Sequence, residues 1–294
     1  IEDDLRDAYG DKDWPVAAAL GAGVAALLIS AQIVDIMNVL REREIAGVHF
    51  VARDGYLAHE VWSRLRDSGV DLPPATYTAL SRSVIWRAGL TDINEESVHR
   101  FIGDDETISH VRLERRVGCA LTGSDSPNTE LNAEQARQLL LRNAQSIEGA
   151  STVLRHNLLA YLDAQGVLSK GHHLFVDLGW TGSTIADLSH LISTATHGAT
   201  TIEGRLLGAY WDIAPHRARV PLSAFAVDEF DGVESNVRLL GCQSMFESIL
   251  TAPHGSVVNY EVQGTHVQPV FAEPPAESVA YESYGRTIGE FAVE

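Results

Sequence analysis

The run His172-His173-Leu174-Phe175-Val176-Asp177-Leu178-Gly179-Trp180-Thr181-Gly182-Ser183-Thr184 leaves this chain few folds to choose from. Three apolar residues lead into an acid, a Gly/Thr/Ser loop follows, and Ile185 to Ile192 then spaces its apolar residues as a helix does. Strand, tight loop and helix N-terminus in that order are the unit from which α/β sheets are built. Such a loop presents unpaired backbone N–H groups and the positive end of a helix dipole, a setting that holds phosphate. Asp177, at the strand end, can grip a hydroxyl-bearing group beside it. No Lys follows the glycine, so the loop is not a Walker A, and Gly179 and Gly182 lack the G-x-G spacing of a dinucleotide fingerprint. The plain alternative is an ordinary βα turn.

Two further segments sharpen the reading. Gly47 to Ala52 reads as a buried strand, Arg53-Asp54-Gly55 as a turn, and Tyr56 to Arg66 as a helix with Leu57, Val61 and Leu65 on one side. A charged pair at the C-terminal end of an interior strand is costly unless it faces a cleft or a partner. In open α/β sheets that end is where ligands bind. Arg53 would offer a fork of donors to anionic oxygens; the alternative is a structural Arg–Asp pair. Thr76 to Ser83 alternates like a strand and ends in Ser81-Arg82. Alone, Arg82 reads as an exposed helix start; beside the other two loops, Ser81 and Arg82 form a second hand on the same oxygens.

The loop after Asp177 resembles the ribose-5-phosphate loop of type I phosphoribosyltransferases, and Arg53-Asp54-Gly55 stands where that family carries its pyrophosphate loop. The family usually has two adjacent acids, whereas Leu178 follows Asp177 here. A haloacid-dehalogenase reading fails because Gly179 stands where its second aspartate is required. V-A-R-D-G-Y, L-S-R-S and V-D-L-G-W-T-G-S together, with Met245-Phe246-Glu247 and Ala252 to Ser256, resemble a narrower group. These are ribofuranosyltransferases of bacterial polysaccharide biosynthesis that use phosphoribosyl pyrophosphate (PRPP) and often lie beside a haloacid-dehalogenase-type phosphatase domain. The resemblance, from about Asp13 to Phe271, implies a mainly parallel Rossmann-like α/β sheet with helices on both faces and a helical insertion. It implies pyrophosphate on Arg53, Asp54, Gly55, Ser81 and Arg82, and ribose 5-phosphate on Asp177, Gly179, Thr181, Gly182, Ser183 and Thr184. A Val at position 182 would then crowd the phosphate. Mg²⁺ would come with the pyrophosphate, touching Asp54 through water.

The implied organisation is a first part of the α/β core over 13–82 and a helical insertion over 83–165 that forms a hood and acceptor region. A second part of the core, with a C-terminal hairpin, spans 166–273, and a C-terminal helix 274–294. Within the insertion Asn132 to Ser146 and Thr152 to Ala164 read as helices, with no strand between. Leu206 to Ile213 reads as a strand carrying Asp212 near its end, Leu222 to Val227 as another, and Asn236 to Leu250 as a helix. Val257 to Val262 and His266 to Phe271 form a hairpin around Gly264. A formal net charge of −18 argues against nucleic acid and anionic membrane as partners. Val16 to Val34 is uncharged, but it is Ala/Gly-rich and followed at once by Asp35, so a helix packed on the sheet is expected rather than an integral membrane segment. Cys119 and Cys242 lack ligand-like neighbours and read as buried reduced thiols, pointing to a cytoplasmic setting. Ile1 to Asp13 is acidic, unlike a signal peptide, and the chain reads as a portion of a longer polypeptide.

The chemistry implied is transfer of ribofuranosyl 5-phosphate from PRPP to a hydroxyl of a sugar or glycan, with inversion to a β-riboside. A partner phosphatase would then remove the 5-phosphate. Arg53, Arg82 and Mg²⁺ would neutralise the leaving pyrophosphate; Asp54, Asp212 and Glu247 are candidates for the general base. Three alternatives stand beside it: a phosphoribosyltransferase for an aminocyclitol or nucleobase, a non-catalytic PRPP-binding regulator, and an assembly scaffold.

Overall fold

The structure is a computed structural model that describes residues 21–104, 106–123, 128–228 and 243–273. The chain divides into two compact units, one of 1–80, 165–256 and 272–294, the other of 81–164 and 257–271.

The first unit is built on a five-stranded sheet, β1 (Gly47–Val51), β2 (Ala75–Thr78), β5 (Gly171–Trp180), β6 (Thr200–Ala209) and β7 (Leu222–Asp228). Their order is β2-β1-β5-β6-β7, and every neighbouring pair is parallel. The chain moves from β1 to one side for β2 and then returns to the other side for β5, β6 and β7. The order therefore reverses between β1 and β5, a topological switch point. Alternation along the strands sends Val48, Phe50, Leu174, Val176 and Leu178 to one face. There they pack on α1 (Ala26–Glu42), α2 (Tyr56–Asp67) and Phe246 and Leu250 of α10 (Gln243–Leu250). Trp62 of α2, 1 % exposed, anchors this core, and burying a side chain of that size contributes roughly 3 kcal/mol. The other face takes α8 (Ser183–Ala195): a Cβ on Gly204 of β6 would lie 2.7 Å from Ile185. Helices thus flank both faces of a parallel, Rossmann-like sheet.

Helix α1 is long and apolar enough, over Gly23–Glu42, to cross a membrane. In the fold its Ile29, Ile33 and Ile36 are buried against the sheet. Asp35 accepts both oxygens' worth of bonds from Arg205 of β6, at 2.5 Å each.

The second unit holds α3 (Arg82–Gly89), α4 (Glu95–Ile102), α5 (His110–Val117), α6 (Ala133–Arg142) and α7 (Ala144–Ala164). Three features differ from the sequence reading. Strands β3 (Thr107–Ser109) and β4 (Glu130–Asn132) form an antiparallel pair inside a region read as mostly helical, with no strand expected. The expected break between Ser146 and Thr152 is absent, because Ile147, Ser151, Leu154 and Leu158 keep one continuous buried stripe along α7. The hairpin β8 (Val257–Gln263) and β9 (His266–Phe271) belongs to this unit rather than to the α/β core. The cause is local: Ser81 Oγ donates to Val257 O at 2.7 Å, Arg87 Nη2 to Val258 O, and Asn157 Nδ2 to Tyr260 O. The Tyr161 and Tyr260 rings lie 5.0 Å apart. Cys119 is half-buried and free; Cys242 and the expected C-terminal helix of 274–294 lie outside the described residues.

Candidate functional site at the β1–β5 switch point

The C-terminal ends of β1 and β5 deliver Arg53-Asp54-Gly55 and Thr181-Gly182-Ser183 to the same edge of the sheet, since Phe50 pairs with Val176 in parallel register. The peptides Ala52–Arg53 and Gly179–Trp180 are both cis. Helix α2 begins one residue after Gly55 and α8 one residue after Gly182, so two helix N-termini flank the switch point. Neither helix has an acidic residue in its first turn, although the chain has 40 acids to place, whereas α4 carries Glu95 and Glu96 there. The positive ends of α2 and α8 are thus left without the counter-charge that first turns usually favour.

Three glycines build the edge. A Cβ on Gly55 would lie 2.7 Å from Val51 O, so only glycine lets the turn fold back on β1, where its N–H donates to that oxygen at 2.8 Å. Gly179 has φ +132, and a Cβ there would strike Gly208 O on β6 at 2.2 Å. Gly182, at φ +73, caps α8; a Cβ would meet Leu222 at 2.4 Å. The expectation that a larger residue at 182 acts by crowding a phosphate is thereby corrected, because the side chain would point into the apolar layer under the loop. Within the loop, Thr181 Oγ1 donates to Ser183 Oγ at 3.1 Å and accepts from Ser183 N–H at 3.4 Å. Thr184 follows in the first turn of α8 and is half-buried.

The charged groups divide by role. Arg53 is half-buried and its guanidinium makes no hydrogen bond or ion pair among the described residues. Asp54 is half-buried and its pKa is raised from 3.8 to about 6, first by burial, with neighbouring Arg53 opposing and the Glu247 carboxylate reinforcing the shift. Glu247, on α10, accepts from Trp180 Nε1–H at 3.1 Å and from Gln243 Nε2 at 2.8 Å on the same oxygen. Tyr210 donates to Gln243 Oε1 and its ring stacks on Trp180 at 5.4 Å. Trp180, Tyr210 and Gln243 thus join the site, though no sequence signal beyond the tryptophan in the glycine loop marked them. Asp177 is 8 % exposed and its Oδ1 accepts from Leu178 N–H at 2.8 Å.

Asp212 stands in a turn of 3₁₀ helix, Trp211–Ile213, that runs into the short helix α9 (Ala214–Arg217), and not within a strand, because β6 runs Thr200–Ala209 and ends before it. Its Oδ1 is enclosed and has no hydrogen-bond partner among the described residues. Ser81 and Arg82 belong to the second unit. There Ser81 caps α3, accepting from Val84 N–H at 3.3 Å while its hydroxyl bonds Val257 O, and Arg82 is exposed in the first turn. Ser81 is therefore committed to folding its own unit. Among the described residues no group of three or more His, Cys, Asp or Glu side chains is placed to hold a metal ion.

No family model matches the chain, and no curated protein matches it.

Proposed function

We propose that this chain is a PRPP-dependent glycosyltransferase that moves ribofuranosyl 5-phosphate to a sugar or glycan hydroxyl, with its donor site at the β1–β5 switch point. One observation carries the reading. Two glycine-built βα turns, an Arg53 guanidinium with no hydrogen bond among the described residues, and two helix N-termini without first-turn acids converge on one sheet edge of a chain whose net charge is −18. Such a gathering of backbone donors and one guanidinium suits a donor with phosphate at one end and pyrophosphate at the other.

In this reading Thr181, Gly182, Ser183 and Thr184 hold the 5-phosphate, and Asp177 and Gly179 border the ribose. Arg53, with the backbone of Asp54 and Gly55, takes the pyrophosphate. The bond from the anomeric carbon to pyrophosphate oxygen breaks with its electron pair leaving on the pyrophosphate. The acceptor oxygen bonds that carbon from the opposite face, giving the β-riboside, and its proton passes to a carboxylate. Asp54 is the best placed of the three candidates, since a pKa of about 6 suits a base working near neutrality. Glu247 has an oxygen occupied by two donors and is better read as positioning Trp180. Mg²⁺ bound to the pyrophosphate would help neutralise it, and the lone carboxylate of Asp54 offers that ion a contact only through water.

Calorimetric titration of PRPP with and without Mg²⁺, against ribose 5-phosphate, tests the site. Metal-dependent binding that favours PRPP is expected; equal weak binding of both would remove the pyrophosphate assignment. A second reading, a regulator that binds PRPP without turnover, draws on Asp177, whose buried carboxylate already takes the Leu178 N–H. It predicts PRPP binding with no pyrophosphate release in the presence of any sugar acceptor.

A further inference from the structure

The second unit contains a cleft of about 500 Å³ whose lining includes polar Arg87, Ser151, Asn157, Asn259 and Glu261 and apolar Leu154 and Val262. Arg87 is 6 % exposed and Ser151 2 %. Arg87 Nη2 donates to Val258 O at 2.5 Å, but its Nε–H has no acceptor, and Ser151 Oγ has no partner among the described residues. Among the described residues no carboxylate is paired with this guanidinium, and burial pushes its pKa down. The fold nevertheless makes room for it: Gly118 is left-handed at φ +80, and a Cβ there would fall 1.7 Å from Arg87 Nη1. Both residues line this cleft, so a ligand anion there could complete a buried cation's open donor and a buried hydroxyl that has no bond among the described residues.

The remaining lining narrows the anion. One guanidinium with Glu261 in the same cleft matches a single negative charge better than a phosphate dianion. Asn157 uses Nδ2 on Tyr260 O at 2.9 Å, which leaves its carbonyl oxygen, like the Glu261 carboxylate, to accept from hydroxyls. Leu154 and Val262 supply a surface for a C–H face. We propose that this cleft binds a sugar acid, with its carboxylate on Arg87 and Ser151 and its hydroxyls on Asn157 and Glu261. The inference stands apart from the donor site, which lies in the other unit.

The test uses the full chain, ¹⁵N-labelled, with the arginine Nε–H resonances followed by NMR while D-glucuronate, D-glucose or inorganic phosphate is added. A saturable shift of the Arg87 Nε–H with glucuronate is expected at millimolar concentrations, with none for glucose and a weaker response to phosphate. Ser151→Ala should weaken glucuronate binding about tenfold while leaving the melting temperature unchanged or higher, because it deletes an unsatisfied buried hydroxyl. Arg87→Lys should abolish the binding; should that variant fail to fold, the Ser151→Ala result decides alone. No shift with glucuronate, or an equal response to phosphate, overturns the assignment. So does a Ser151→Ala variant that melts lower with affinity unchanged, since the hydroxyl would then be structural.

Discussion

In the proposed function, Asp54 would serve catalysis at a cost to folding. Its folded pKa of about 6 exceeds the unfolded 3.8, so the folded chain binds the extra proton between those values, and stability falls as pH rises through that window. By pH 7 the whole penalty is present, at most about 3 kcal/mol for a two-unit shift. Asp54→Asn should therefore raise the urea midpoint at pH 7 and leave it nearly unchanged at pH 4, while removing transfer activity. In the parent protein the rate should climb as pH rises through about 6 and then level off; a flat profile across that range would exclude Asp54 as the base. Arg53→Ala should cost PRPP affinity at least tenfold, the loss of one charge-assisted contact, with the melting temperature within a degree or two. Gly182→Val acts differently from what a phosphate cradle alone suggests. Its left-handed φ and the 2.4 Å approach to Leu222 should destabilise the fold by roughly 1–3 kcal/mol before any ligand is added, which chemical denaturation would read directly.

At the scale of elements, what the sequence reveals depends on whether a segment satisfies its polar groups locally. Strand β1, helix α2, strand β7 and the β8–β9 hairpin are readable because alternation or helical spacing and turn residues all agree within a few positions. Strand β6 is readable only from Leu206 on, because Glu203 and Arg205 interrupt the apolar pattern of its first half. Both are satisfied at long range, Glu203 by Arg43 at 2.6 Å and His172 at 3.1 Å, Arg205 by Asp35. The β3–β4 pair, three residues a strand, is too short to show a period. The site follows the same rule. Both glycine loops are legible as loops, whereas Trp180, Tyr210 and Gln243 come together only through the sheet and α10. A buried polar chain across β2, β1 and β5 is equally invisible in the sequence. Thr78 meets Thr76 at 3.2 Å, Thr76 meets His49 at 2.6 Å, and His49 meets His173 at 2.9 Å. Burial first, then His173, lowers the His49 pKa from 6.5 to about 3. The unfolded chain thus takes up the proton first, and stability is lost as pH falls below about 6.5. His49 alone should cost about 2 kcal/mol between pH 7 and pH 5 at 1.36 kcal/mol per unit. The unfolding free-energy difference between wild type and His49→Gln, read from urea titrations, should shrink by that amount over the same interval; an unchanged difference would mean that His49 takes up its proton in the fold at the same pH as in the unfolded chain.

For the whole molecule, the order of the chain does not follow the order of its units. The backbone leaves the sheet unit after Leu80, returns at Gln165, leaves again at Val257 and comes back at Ala272. Hairpin β8–β9 is thus more than 90 positions from the helices it completes. Tyr260, 1 % exposed, is its largest buried side chain, and Arg87, Ser81 and Asn157 each bond its backbone. Backbone groups satisfied by one unit should open only when that unit opens. In native-state hydrogen exchange the amides of Val257 to Phe271 should therefore exchange with those of α3 and α7, not with β5 and β6. PRPP should slow exchange at Arg53 to Gly55 and Thr181 to Thr184, where its phosphates would cover the amides. Tyr260→Ala should lower the protection of α3 and α7 by about 3–5 kcal/mol, the usual result of truncating a buried aromatic. It should leave β5 and β6 at their own level if the two units open independently. Loss of protection in both units together would instead mean that the molecule unfolds as one cooperative body.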